Sequence, residues 1–468
     1  MSASIRVTPR IRPALDPEFV PAALWNRSYR ALGPTLPLAI ALERGDGSVS
    51  VFRTAVLPHE GAGAELNYRY VERLVKFLLW QKGGYRIAIA GPGEIGEAIR
   101  RGYSPTGARA FDYEFMGQRV YGKPMEIAIV PYGRAPGERE TAAPLGRHLD
   151  GYRIGFDLGA SDRKCAAVAD GRVVFSDETP WNPGAQADPR YHFDGIQDSL
   201  RRAAAKLPRV DAIGGSAAGV YVNNEVRVGS LYRAVPRELF DTRIRRLFFD
   251  LREAWGGIPF EVVNDGEVTA LAGSMARNRN AVLGIAMGSS MAAGFVTPEG
   301  AIATWLDELA FAPVDYRWDA PADEWSGDCG VGVQYFSQQA VARLLAPAGI
   351  QLPAEMPPPE KLSRVQALMS TGDPRARRIY ETIGAYFGYA IAHYAEFYEV
   401  RNLLALGRAM TGEGGDTILS AAGRVLREEF PDLAERIRFH VPSEREKRHG
   451  QAIAAASLPA ISSQEKRS

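Results

Sequence analysis

One short stretch combines a carboxylate, a glycine and a hydroxyl directly after an apolar run. In "GFDLGASDRK" (155–164), Asp157, Gly159 and Ser161 occupy alternate positions. A sharp turn after a strand directs backbone N–H groups towards an anion, and a serine hydroxyl can donate to a phosphate. Lys164 would add positive charge, and Asp157, which cannot usefully contact a phosphate, would hold a hydrated Mg²⁺. The same residue types are also the default in an ordinary β-turn.

Two further turns repeat this chemistry later in the chain. Gly288, Ser289 and Ser290 lie between two predicted strands in "NAVLGIAMGSSMAAGFV", and Gly407 begins a glycine cluster that follows the strand "NLLAL". Two strand–turn–strand units facing each other would hold a triphosphate from both sides. The glycine cluster suits close approach of a nucleoside and contact of phosphate with a helix end.

A polar pair lies between the first two turns. Asn264 and Asp265 follow the strand "PFEVV" and precede the small-residue helix "GEVTALAGSMAR". A carboxylate just beyond a strand end can act as general base towards a hydroxyl. Its place between two phosphate-type turns predicts Asp265 as the catalytic residue.

The elements that must position these residues alternate between short apolar strands and helices, which predicts an α/β architecture. A chain of 468 residues is too long for one core. We expect an N-terminal α/β extension at 1–150, a first lobe at 151–265 and a second lobe at 266–468, whose C-terminal helix returns to the first. The order strand, turn, strand, helix, strand, glycine turn occurs at 36–96 and again at 152–219, so the extension is either a degenerate copy of the first lobe or an unrelated α/β region.

Composition limits the classes of partner. Lys and Arg number 56 against 55 Asp and Glu, so a uniformly basic nucleic-acid surface is not indicated, and no apolar stretch is long enough to span a membrane. Two cysteines cannot form a disulfide framework, which favours a cytoplasmic location. A homodimer is compatible with the sequence.

The order and spacing of the four segments resemble the sugar kinase–heat-shock protein–actin superfamily. Within it, the chain from 152 to about 460 is similar to the ROK family of bacterial sugar kinases and sugar-responsive repressors. The resemblance implies a ribonuclease H-like (actin-like ATPase) two-lobed fold, ATP and Mg²⁺ as cofactors and a small-molecule carbohydrate as substrate. It also implies that Asn264 and Glu308 bind the sugar and that Asp265 is the base. The phosphate and nucleotide ligands would be Asp157, Gly159, Ser161, Lys164, Gly288, Ser289, Ser290 and Gly407.

The chain departs from this family in its sugar and zinc motifs. Phe311 stands at the position of a sugar-facing histidine, and a cysteine-rich zinc knuckle is reduced to Cys329. The place of a sugar-binding glutamate is taken by Val333 or Gln334. A zinc site needs about four Cys or His ligands, so we expect no zinc. A pocket built to pair with hydroxyls loses affinity when such partners vanish.

Three interpretations therefore stay open. The first is an ATP-dependent carbohydrate kinase that transfers the γ-phosphoryl group to a sugar hydroxyl. The second is a catalytically impaired, ROK-like sugar-sensing or interaction protein, and the third is a kinase for a different acceptor. Family regulators carry an N-terminal helix-turn-helix, whereas residues 1–150 are predicted as strands with one good helix, so we do not expect a DNA-binding repressor.

Overall fold

Residues 5–33, 35–141, 144–442 and 444–461 are described by the structure, a computed structural model. The chain divides into two compact units, each built from three segments. Unit 1 comprises Met1–Ala142, Ile285–Ala293 and Trp305–His440, and unit 2 comprises Ala143–Gly284, Gly294–Thr304 and Val441–Ser468. The predicted boundaries at residues 150 and 265 stay predictions. Among the described residues, no helix is long and apolar enough to cross a membrane.

The first segment of unit 1 forms a four-stranded sheet with helices. Its elements are α1 (Ala22–Arg30), β1 (Leu36–Glu43), β2 (Val49–Val56), α2 (Ala62–Lys82), β3 (Arg86–Ala90), α3 (Gly93–Gly102), α4 (Ala110–Glu114) and β4 (Glu126–Val130). The strand order is β2-β1-β3-β4, in which β1 is antiparallel to both β2 and β3, and β3 is parallel to β4.

Helix α2 is buried on nearly every side. The predicted apolar face, formed by Val71, Leu74, Val75 and Leu78, is buried. Several charged side chains of the same helix are buried as well, among them Lys76. Such burial requires partners for each charge, and the partners lie partly in a distant segment of unit 1.

Unit 2 is built around a five-stranded sheet. Its first segment contains β5 (Tyr152–Leu158), β6 (Asp162–Ala169), β7 (Arg172–Pro180), α5 (Pro189–Ala204), β8 (Ala212–Ala217), β9 (Val220–Val222), β10 (Glu225–Val228), α6 (Arg237–Leu239), α7 (Leu247–Ala254), β11 (Phe260–Asn264) and α8 (Asp265–Arg277). The strand order is β11-β8-β5-β6-β7. Strands β11, β8 and β5 are parallel, whereas β6 and β7 continue the sheet in antiparallel hairpins.

The rest of the chain adds a second four-stranded sheet and six helices. These elements are β12 (Val282–Met287), β13 (Met291–Val296), α9 (Gln338–Leu344), α10 (Pro358–Ser370), α11 (Pro374–Tyr394), β14 (Asn402–Leu406), α12 (Gly412–Glu429), α13 (Pro431–Arg436), β15 (Arg438–His440) and α14 (Glu444–Ala456). The strand order is β13-β12-β14-β15. The division between the units passes through β12 and β13.

The C-terminal helix α14 belongs to unit 2 and lies very close to its sheet. A Cβ atom at Gly155 of β5 would be 1.9 Å from the carbonyl oxygen of Ala452, and one at Gly214 of β8 would be 1.7 Å from that of Ala455. Only glycine permits this approach. The opposite face of the sheet carries the large apolar side chains of the core, among them Phe156 and Phe260.

The two strand sets that suggested a duplication differ in topology. In unit 2 the strand after the helix, β8, is parallel to β5, and three strands precede the helix. In the N-terminal sheet the strand after the helix, β3, is antiparallel to β1, and only two strands precede the helix. A copied lobe would keep the direction of its strands. The duplication therefore stays a prediction without topological support.

Candidate active site

Three parallel strands of unit 2 end at the same edge of the sheet. Ala217 of β8 pairs in register with both Leu158 of β5 and Asn264 of β11. Asp157 and Asp265 therefore lie at this carboxyl edge, where ligands of open α/β sheets bind. The structure thus brings together the two carboxylates that the sequence separates by more than a hundred residues.

Asn264 and Asp265 form the junction between β11 and α8. Asn264 is the N-cap residue: its side-chain oxygen accepts a hydrogen bond of 2.7 Å from the backbone N–H of Gly266. Its amide nitrogen donates to the carbonyl oxygen of Gly219 at 2.8 Å. Both ends of the amide thereby fix the start of the helix, and Asp265 is the first helical residue. Sugar binding by Asn264 stays a prediction.

The pKa of the Asp265 carboxyl group lies closer to neutral pH than that of an ordinary aspartate. Burial raises the pKa of its carboxyl group to about 6, and the negative charge of Asp157 adds to the rise. The N–H of Gly266 and its own N–H oppose this effect. A carboxylate with this pKa is still ionised at neutral pH and is a stronger base than an ordinary aspartate, which suits general base catalysis.

Asp157 is almost fully buried, at 9% exposure. Burial raises the pKa of its carboxyl group, and the positive charge of Lys164 opposes the rise. Ser216 lies directly opposite in the sheet register. A carboxylate beside a hydroxyl offers the hard oxygen donors that Mg²⁺ prefers, and one carboxylate suffices when the other ligands are water. The residues present therefore fit a hydrated Mg²⁺. The described part of the chain contains no group of three or more His, Cys, Asp and Glu placed to hold a metal directly.

The first predicted phosphate turn connects β5 to β6, and the donors in it already bind a neighbouring residue, Asp162. Asp162 accepts a hydrogen bond from the Ser161 hydroxyl at 3.0 Å and pairs with Lys164 at 3.1 Å. Its backbone oxygen also accepts from the N–H of Gly159 at 2.9 Å. Asp162 thus engages the donors predicted for phosphate. Sequence reasoning missed this residue, although a second aspartate within the same turn was the available signal.

The second predicted turn and the glycine cluster meet in unit 1. Gly288 N–H donates to the carbonyl oxygen of Ser290 at 2.9 Å, which closes the turn and leaves the Ser289 and Ser290 side chains exposed. Gly407 has a left-handed φ of 101°, and a Cβ atom there would lie 2.4 Å from the carbonyl oxygen of Met287. Two predicted nucleotide-binding turns are therefore adjacent, and their approach requires glycine at 407.

Glu308 and Phe311 lie on one short turn of unit 1. The backbone N–H of Glu308 donates to the carbonyl oxygen of Trp80 at 2.9 Å, at the end of α2. The Phe311 ring packs 4.7 Å from the Trp80 ring and 4.8 Å from that of Trp325. We call the group formed by Trp80, Phe111, Phe115, Phe311 and Trp325 the aromatic cluster.

The two residues considered in place of the family's sugar-binding glutamate are both buried. Val333 is 2% exposed. Gln334 uses its amide nitrogen to bind the side chain of Gln339 at 2.6 Å. Cys329 is a half-buried free thiol. Neither residue thus offers a carboxylate in place of the glutamate.

Each unit assembles its own share of the predicted site residues. Unit 2 holds Asp157, Gly159, Ser161, Lys164, Asn264 and Asp265, and unit 1 holds Gly288, Ser289, Ser290, Glu308 and Gly407. The roles of these residues stay predictions.

Comparison with known proteins gives a result for structure only. No protein-family model matches the chain, and no curated protein matches it in sequence. One similar solved structure is the ROK hexokinase from Thermus thermophilus, at 18% identity and a TM-score of 0.52; the match covers 65% of this chain and 96% of the hexokinase. Another is a ROK family transcriptional regulator, a homologue of the E. coli MLC protein, at 18% identity and a TM-score of 0.53. That match covers 66% of this chain and 79% of the regulator. The chain has the ROK fold. The predicted α/β, ribonuclease H-like (actin-like ATPase) fold is confirmed. The match to the hexokinase covers 65% of this chain and leaves about a third of it without a counterpart.

Proposed function

We propose that this ROK-fold protein is an ATP-dependent carbohydrate kinase. It transfers the γ-phosphoryl group of ATP to a sugar hydroxyl, with Asp265 as the general base. The observation that carries the proposal is the carboxyl edge of unit 2, where Asp265 begins a helix beside Asp157 and has a pKa raised to about 6. The similarity to a ROK hexokinase supports the choice of acceptor class.

In this mechanism Asp265 accepts the proton of the acceptor hydroxyl. The acceptor oxygen forms a bond to the γ-phosphorus as the bond between that phosphorus and the ADP oxygen breaks. Asn264 holds Asp265 at the helix start, and Glu308 accepts a hydrogen bond from another hydroxyl of the sugar. In unit 2, Gly159, Ser161 and Lys164 are the proposed phosphate ligands. In unit 1, the Gly288–Ser290 turn is proposed to bind phosphate and Gly407 to admit the nucleoside. Mg²⁺, held by Asp157 through water, would neutralise charge on the phosphates.

The remaining features of the proposal follow from the same assignment. The cofactors are ATP and Mg²⁺, without zinc, and the partner is a small-molecule carbohydrate rather than nucleic acid or a membrane. The location is cytoplasmic, and a homodimer is compatible with this function.

A second candidate is a catalytically impaired sugar-sensing or interaction protein, and specific observations favour it. Phe311 is packed in the aromatic cluster instead of offering a polar contact, and Val333 is buried. Asp162 engages Ser161 and Lys164, the donors that a phosphate would need. The match to a ROK transcriptional regulator shows that this fold also serves proteins other than kinases. A kinase for a different acceptor shares the nucleotide chemistry and differs only in the sugar motif.

The test is ADP release from ATP and Mg²⁺ in the presence of a panel of carbohydrates. We expect sugar-dependent release that falls by about 10²–10⁴-fold in Asp265→Asn, because the base is lost. Asp194→Asn is the control, since Asp194 is an exposed aspartate of the same unit. Calorimetry that detects no nucleotide binding would reject both kinase proposals, and sugar binding without turnover would favour the sensor.

A further inference from the structure

Six charged side chains of unit 1 form a buried group that the proposed reaction does not use. We call it the charge network, and its members are Glu72, Arg73, Lys76, Arg109, Asp112 and Asp328. Three positive and three negative charges balance. Lys76 and Asp112 have side chains that are 1% exposed, and even the most accessible member, Arg109, is only 16% exposed.

Five members belong to the N-terminal segment, and only Asp328 comes from the distant segment 305–440. Lys76 binds Asp112 at 2.8 Å, and Arg73 binds Glu72 at 2.7 Å, within the N-terminal segment. The same two cations also reach Asp328, at 3.1 and 3.5 Å respectively, and Arg109 binds it directly. Three cations therefore converge on one carboxylate, and their charges hold the pKa of Asp328 well below its usual range, against the opposing effect of burial.

Asp328 starts a segment that leads to the candidate site. Its side chain accepts a hydrogen bond from the N–H of Cys329 at 2.8 Å. Further along, the N–H of Gly332 donates to Ala312 at 3.0 Å, and a Cβ at Gly332 would lie 2.5 Å from the carbonyl oxygen of Leu309. This close contact places the segment against the turn that follows Glu308.

The same segment ends at the second phosphate turn. The N–H of Gln338, the first residue of α9, donates to the carbonyl oxygen of Gly288 at 2.9 Å. Gly332 also lies against Met291, the first residue of β13 after the turn: a Cβ there would be 3.0 Å from the Met291 sulfur. A continuous series of contacts thus connects the N-terminal helices to the Gly288–Ser290 turn.

We propose that Arg73, Lys76 and Arg109 are positioning residues that hold the Asp328–Gln338 segment, and through it the Gly288–Ser290 turn. The N-terminal region is in this view a structural part of the candidate site. The buried ion pairs of this region fix an irregular loop, as a bound metal ion does in other proteins. None of these side chains is assigned a contact with nucleotide or acceptor.

Hydrogen exchange of the full chain, measured by mass spectrometry on peptides, tests the proposal. In Asp328→Asn we expect exchange in the peptides 286–292 and 328–338 to become at least about tenfold faster, because these peptides open locally once Asp328 loses its charge. Peptide 260–277 of unit 2 should be unchanged. Arg44→Lys is the matched control: Arg44 is 3% exposed in the same N-terminal segment but pairs with Glu140.

Because Asp328→Asn leaves three buried cations short of one anion, it can fail to fold, and a milder variant keeps the test decisive. Arg109→Lys retains the charge but loses the guanidinium fork that joins Glu72 to Asp328. We expect the same two peptides to respond, by about threefold or more. Asp328→Glu keeps the negative charge that Asp328→Asn removes, so the two peptides should be protected from exchange almost as well as in the wild type. Uniformly faster exchange across unit 1, or no change in the two peptides, overturns the proposal.

A kinetic measurement adds a second readout, and this part rests on the proposed function. The KM for ATP should rise at least about fivefold in Arg109→Lys while kcat changes less than about twofold, because the phosphate turn is loosened and Asp265 is untouched. An unchanged KM in an active enzyme would contradict the proposal. Absence of kinase activity in the wild-type protein would refute the proposed function alone, since the exchange experiment needs no turnover.

Discussion

Replacing Asp265 by asparagine should slow catalysis by about 10²–10⁴-fold and stabilise the protein at the same time. The folded-state pKa of this group is raised from 3.8 to about 6 by burial and by Asp157. The folded protein therefore binds the proton more tightly than the unfolded chain does. The resulting stabilisation is complete below about pH 4 and is lost as the pH rises through 6. At pH 7.5 the ionised carboxylate thus lowers the free energy of unfolding.

The magnitude follows from the size of the shift. About two pKa units at 1.36 kcal/mol each correspond to about 3 kcal/mol at pH 7.5. Asparagine avoids this cost, but residue 265 is only half-buried, and screening by solvent reduces the gain. We therefore expect Asp265→Asn to raise the free energy of unfolding of unit 2 by about 2 kcal/mol at pH 7.5 and by little at pH 4.

The assay is urea-induced unfolding between pH 4 and 8, followed by hydrogen exchange in peptides from β5, β8 and β11. These strands report on unit 2 alone, which matters because a chain of two units need not unfold in one step. Asp194→Asn, at an exposed position, should show no such gain. The reasoning would be refuted if Asp265→Asn were no more stable than the wild type at pH 7.5, or if its gain were the same at every pH.

Three further substitutions test separate parts of the site. Gly407→Ala should weaken binding of a non-hydrolysable ATP analogue, measured by calorimetry, by about tenfold or more (~1.4 kcal/mol), because the new Cβ meets the Met287 backbone. Gly349→Ala is the control, because Gly349 has a similar φ of 75° but open space around it. Asp162→Asn should strengthen binding of the same analogue by about fivefold, since Lys164 is released for phosphate, and unchanged or weaker binding would argue against that role. Phe311→His should lower the free energy of unfolding of unit 1 by about 0.5–1.5 kcal/mol, as judged by urea denaturation, because the half-buried ring at 311 loses part of its packing on Trp80 and Trp325. A variant as stable as the wild type would argue against a packing role for Phe311.

Local features of the fold could be predicted from the sequence because the information is local. The apolar run that ends in Asp157 predicts a strand at 153–157, and the structure has this strand, β5, at Tyr152–Leu158. An Asp-Gly pair between two apolar runs predicts a hairpin turn at Asp170 and Gly171, and these residues have φ angles of 46° and 76°, the positive values that such a turn requires. The helical spacing of Ile196, Leu200 and Ala203 predicts a helix at about 194–206. The helix observed there, α5, begins earlier, at Pro189, because Asp188 caps it by accepting from the N–H of Arg190. The apolar period shows the buried face of a helix, and the cap fixes its start.

The contacts around the candidate site could not be predicted from the sequence, because they join distant parts of the chain. Nothing near Phe311 in the sequence indicates that its ring packs on Trp80 of α2, nor that Asp328 pairs with Lys76. One signal was present: Glu72, Arg73 and Lys76 lie among the apolar residues Val71, Leu74, Val75 and Phe77 in the middle of α2. Charges on a buried face require partners, so these residues predict a second charged segment without saying where it lies.

The division of unit 1 into separate chain segments also has a consequence for biosynthesis. Helix α2 leaves the ribosome early, but its partners Glu308, Phe311 and Asp328 lie beyond Trp305, where the unit resumes. Residues 143–304, of which about 150 belong to unit 2, are translated in between, which at about 5–20 residues per second takes on the order of 10–30 s. During that time the nascent N-terminal segment exposes rings and charges that have no partner yet. The chain should therefore depend on a chaperone during its own synthesis, at a stage when the strands of unit 2 can already pair.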